Sequence, residues 1–141
     1  MNVALWIVQS LLAAAFGMAG AMKLSTPYEA LVEQMSWAAH VPAAGVTLIG
    51  LVEVLGALGL VLPSALRIKP GLTPLAAAGL VCTMVAAAGL HISIGEGSQI
   101  APNLVLGTLA ALVAWGRHRR APYRDEIVTA ELKTSPTLTA P

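Results

Sequence analysis

Four apolar runs of bilayer length fill most of this chain and leave it few choices of fold. They cover about residues 3–22, 43–62, 72–94 and 101–116. A helix rises about 1.5 Å per residue, so roughly 20 residues cross a hydrocarbon core of about 30 Å. The first three runs reach that length. The fourth is short and needs part of the preceding loop or of the basic stretch after it. Lys23, Pro63 and Arg117 close the first, second and fourth runs. A chain of 141 residues that is 57% hydrophobic and 11% charged exceeds what one aqueous core can hide. The fold class expected is all-α: an integral membrane four-helix bundle over residues 1–116, followed by a polar cytosolic tail over 117–141. The first run has no basic n-region and no small-residue cleavage boundary, so it reads as a span rather than a signal peptide.

Lysine and arginine set the expected orientation. With four spans, both termini and the middle loop share one side, and that side holds Arg67, Lys69, Arg117, Arg119, Arg120, Arg124 and Lys133. The other side holds Lys23, with Glu29, Glu33 and Glu96. The positive-inside rule places both termini in the cytoplasm. The first outer loop predicts a short interfacial helix. Ser25 or Thr26 suits its cap, Pro27 suits its first position, and Tyr28, Leu31, Met35 and Ala38/Ala39 recur at helical spacing. Tyr28 and Trp37 fit the aromatic belt at the headgroups.

Few polar side chains lie in the spans, and each asks for a partner. A charge at mid-bilayer costs at least about 2.5 kcal/mol, so such residues face the bundle interior. Glu53 stands in LIGLVEVLGALGLVLP, about ten residues or 15 Å into the second span. Gln9, Ala13, Phe16, Gly20 and Lys23 form one stripe on the first span. Glu53 shares its face with Gly50, Gly56 and Ala57, and Asn103 shares its face with Gly107 and Ala110/Ala111. Small residues let membrane helices approach, so these faces point inward. Lys23, His91 and Asn103 converge in the outer half above Glu53, while Gln9 lies in the other half. A pocket with a carboxylate at its floor follows. Lys23, Glu53 and His91 are the candidate catalytic residues, and Asn103 and Trp37 are candidate ligand contacts. Bland alternatives stand beside this reading: Lys23 snorkelling to headgroups, His91 ending a helix, Asn103 acting as helix glue, and Glu53 as a structural bond. Cys82 is the single cysteine and reads as a small packing residue. No metal-ligand motif and no basic nucleic-acid surface is present. His91 and the loop residue His40, both on the outer side, are the one pair that could serve as axial ligands to a haem.

The chain resembles the DoxX-like family of small four-helix bacterial membrane proteins. The resemblance rests on FGMAGAMKL, GLVEVLGALGLVLP, PGLTPLAAAGL, AAAGLHISIGEG and PNLVLGTLAALVAWGR, over about residues 3–117. It implies a bacterial inner-membrane bundle and lends weight to Lys23, Glu53 and His91. The family takes its name from a subunit of a thiosulfate:quinone oxidoreductase, and some relatives are linked to thiol or quinone stress. Two functions are expected. One is an accessory or ligand-binding subunit of a membrane redox system, holding a quinone or another lipophilic small molecule. The other is a membrane enzyme of isomerase, cyclase or epoxide-hydrolase type, with Glu53 as general acid/base. Expected partners are the lipid bilayer, a lipophilic small molecule or quinone, and a membrane redox partner or a second copy; no cofactor is named.

Overall fold

The computed structural model describes residues 2–66, 68–69 and 71–119. The expectations for Arg67, Arg120, Arg124, Lys133 and the tail beyond Arg119 lie outside these residues. The chain forms α1 (Asn2–Ser25), α2 (Tyr28–Gln34), a 3-10 helix (Ser36–His40), α3 (Ala43–Ala65), α4 (Leu72–Ser93), a 3-10 turn (Gly97–Gln99) and α5 (Ile100–His118). Val3–Ser25, Ala43–Ala65, Leu72–Ser93 and Gly97–His118 are long and apolar enough to cross a membrane. The short fourth span borrows from both sides, taking up the 3-10 turn before it and Arg117 and His118 after it.

Burial follows the bilayer rather than water. Gln9, Lys23, Glu53, Thr73 and His91 are buried, whereas Leu11, Leu55, Leu75, Val85 and Leu104 face outward. That is the distribution expected where the surroundings are hydrocarbon and polar groups must be satisfied inside. α1 packs chiefly on α3 and α4 chiefly on α5, and α3 against α4 joins the two pairs. Leu12, Phe16, Leu60, Leu80 and Val113 fill the centre.

α1 and α3 approach closely at Gly20 and Gly50. A Cβ on Gly20 would lie 2.7 Å from the Gly50 carbonyl oxygen, and one on Gly50 would lie 3.0 Å from Lys23 Cβ. Only residues without side chains allow that approach. At the far end Gln9 donates to the Leu60 carbonyl and accepts from Arg117 Nε at 2.8 Å, while the Arg117 guanidinium lies over Trp6.

Two local expectations need correction. α3 does not stop at Pro63 but continues to Ala65. Proline has no N–H to give the Gly59 carbonyl, so the helix runs on past it with one i→i−4 bond fewer. Leu66 N–H still reaches Leu62 O at 2.9 Å, and Ser64 Oγ lies 2.9 Å from Thr73 Oγ1 on α4, fixing the last turn. Pro27 precedes α2 rather than occupying its first position; its ψ of 144° is extended, and no side chain caps the helix. Ser25 is spent as the end of α1, where Thr26 N–H bonds Met22 O. α2 and the 3-10 helix bury Leu31 and Ala38 against Val46, and Tyr28 Oη donates to Ala38 O and Val41 O.

Candidate functional site

The Gly20–Gly50 crossing determines what Lys23 and Glu53 can do. α1 and α3 run antiparallel, and each residue stands one turn along its helix from its glycine. Side chains lean toward their own helix N-terminus. On α1 that carries the Lys23 chain toward mid-bundle, and on α3 it carries Glu53 toward the α2 end. They meet: Lys23 Nζ donates to Glu53 Oε2 at 2.7 Å. The residues are 8% and 4% exposed, so the pair is shielded from its surroundings. The ammonium also lies 5.8 Å from the centre of the Trp37 ring, within cation–π range. An ammonium has three donors, and Glu53 takes one of them.

A second polar pair closes the same end. α4 terminates in a Schellman motif. Gly95 takes φ of +78°, Glu96 N–H reaches back to His91 O at 2.9 Å and Gly95 N–H to Ile92 O at 3.2 Å. The reversal folds Glu96 over the last turn of α4, where its Oε2 lies 2.8 Å from His91 Nδ1. An ionised carboxylate only accepts, so Nδ1–H donates. Glu96 also accepts from the Ser36 hydroxyl, which ties the 3-10 helix bearing Trp37 to the end of α4. The Ser36 hydroxyl first, and then the His91 ring, hold the Glu96 carboxyl below the usual carboxylate range.

Between these pairs is a cavity of about 290 Å³. Lys23, Trp37, Glu53, His91 and Asn103 all line it, so the five candidate residues come together in one space. Ile49, Met84, Ala87 and Leu90 supply the apolar wall. Asn103 Nδ2 donates one turn back to Gln99 O at 3.0 Å. Gln9 is in the other half, as its depth predicts, and His40 is not among the lining residues; its Nδ1 lies 3.3 Å from Ser36 O. Sequence reasoning missed Glu96 as the partner of His91. The signal was the glycine in HISIGEG, which ends α4 and returns the next residue to His91. Chemically the cavity offers an ammonium donor, the second carboxylate oxygen, and in a neutral His91 the acceptor Nε2. It can hold a small polar group that donates and accepts at once. Among the described residues no three His, Cys, Asp or Glu group into a metal site.

The family model of the DoxX-like family matches residues 7–113, which takes in most of all four long helices. No curated protein and no solved structure matches the chain.

Proposed function

The chain belongs to the DoxX-like family of membrane proteins, and on that footing we propose that it holds a lipophilic small molecule, such as a quinone, as an accessory subunit of a membrane redox system. The observation that carries this reading is the cavity that unites Lys23, Glu53, Trp37, His91 and Asn103 beside an apolar wall. Its volume of about 290 Å³ is at the small end for ligand pockets and suits a single ring. Lys23 donates to a carbonyl oxygen of the ligand, and Glu53 and His91 accept where the head carries a hydroxyl, as the reduced quinol does. The protein is a bacterial inner-membrane protein with both termini cytoplasmic. Arg117 and Arg119 at the end of α5 support that orientation, and it puts the cavity in the outer half. The second reading, an enzyme with Glu53 as general acid/base, draws on the same carboxylate and His91. Binding comes first because Lys23 already engages Glu53 at 2.7 Å.

Native mass spectrometry of the detergent-purified chain, with extraction and identification of what it carries, tests the proposal. Glu53→Gln is compared with Ala87→Leu, which fills the cavity from its apolar wall and leaves the ion pair intact. Wild type should retain a lipophilic molecule, and folded Ala87→Leu should lose it. An empty wild-type protein, or an Ala87→Leu protein that binds undiminished, would overturn the reading. Turnover of the retained molecule that Glu53→Gln abolishes would establish the enzyme instead.

A further inference from the structure

We infer that the ligand is a neutral-headed amphiphile with one hydrocarbon chain, and that the chain lies in a groove between α4 and α5 open to the bilayer. This rests on the ligand-binding reading above and narrows it to a chemical class. The groove encloses about 540 Å³ and shares two residues, Met84 and Asn103, with the polar cavity. Val85 and Gly89 line it on α4, and Leu104 and Gly107 on α5. From Val81 to Ile92 it follows α4 for about 16 Å at 1.5 Å per residue.

Met84 borders both spaces. It is 6% exposed, and a Cβ on Gly107 would lie 3.2 Å from its Cβ, so α5 closes on it where α5 has no side chain. Methionine has three rotatable bonds and adapts to irregular gaps. Two side chains, Met84 and Asn103, border both the headgroup-sized polar cavity and the apolar channel, and movement of the flexible Met84 would join the two. Charge selects the head. Lys23 and Glu53 balance each other, and His91 is engaged by Glu96. An anionic head would bring a second negative charge to Glu53, and a cationic head a second positive charge to Lys23. Either would leave a charge unpaired in a low-dielectric space. A neutral group with hydrogen-bonding oxygens meets no such cost.

The full chain in detergent is titrated with three probes by native mass spectrometry: a benzoquinone without a chain, the same ring with a decyl chain, and decanoate. Two variants accompany wild type. Gly89→Leu fills the groove, and Gly79→Leu lies on the same helix outside it; an added Cβ meets nothing within 4 Å at either position. The decyl quinone should bind wild type and Gly79→Leu at least about tenfold more tightly than the chainless ring. Gly89→Leu should lose that advantage and still bind the chainless ring as wild type does. Equal binding of the two quinones, with Gly89→Leu unchanged, would show that no ligand chain occupies the groove. That would overturn this inference and leave the cavity reading intact. Decanoate binding as tightly as the decyl quinone would overturn the neutral head. Binding of no probe to wild type would overturn both readings.

Discussion

Lys23 and Glu53 hold each other in place, and their value to the fold depends on keeping both. Transfer of either charge alone into the bundle is costly, and the partner offsets that cost only through close geometry, here 2.7 Å. Lys23→Met leaves a buried carboxylate without its counter-ion and should cost about 3–5 kcal/mol. Lys23→Met combined with Glu53→Leu removes both charges and should recover most of that loss. Unfolding of the three proteins in one detergent measures the difference. A double variant no more stable than the single would mean that the pair is not the reason both groups are inside. The recovered double variant should also bind no quinone, since it retains the fold without the polar floor of the cavity. An acid inside a run of Leu, Val and Gly draws notice in the sequence, and the depth of Lys23 indicates convergence. The direct pair does not follow from spacing alone. It needs the Gly20–Gly50 approach, which the two small-residue faces suggest without fixing their register.

At the level of elements, the bundle is two helix pairs, and one end is laced by loops. The Ser36–Glu96–His91 chain joins the 3-10 helix to the end of α4 and holds Trp37 against the cavity. Because Glu96 is held below its ordinary value, it contributes stability above that value and loses it as pH falls through the lowered folded one. Ser36, His91 and His40 are the groups acting on it. The Tm gap between wild type and Glu96→Ala should therefore be present at neutral pH and vanish under acid conditions below the carboxylate range. A gap that persists unchanged into acid would contradict the latch. Helix existence was legible throughout, because apolar length decides it. The ends were less so. Pro63 reads as a stop, yet packing of Ser64 on Thr73 carries α3 past it. The Ser36–Glu96 bond joins residues 60 apart and leaves no local trace.

For the whole molecule, a membrane bundle inverts the usual distribution, with large apolar side chains outside and the few polar ones within. That inversion makes the site readable: in a chain 11% charged, each interior polar residue stands out. It also explains why the sequence does not specify the proposed ligand: the cavity walls are Ile, Met, Ala and Leu, which many apolar molecules would satisfy. On the proposed reading, selection falls to a neutral pair of charges and the groove beside it. Photolabelling in the membrane locates any bound ligand on the chain. A photoreactive neutral quinone with an alkyl chain is applied to membranes holding the intact protein, and the labelled peptides are mapped. Label should concentrate on the segments bearing Trp37 and Thr83–His91, be displaced by unlabelled quinone and be abolished by Ala87→Leu. Label spread evenly over the outward faces of all four spans, and indifferent to competitor, would contradict it.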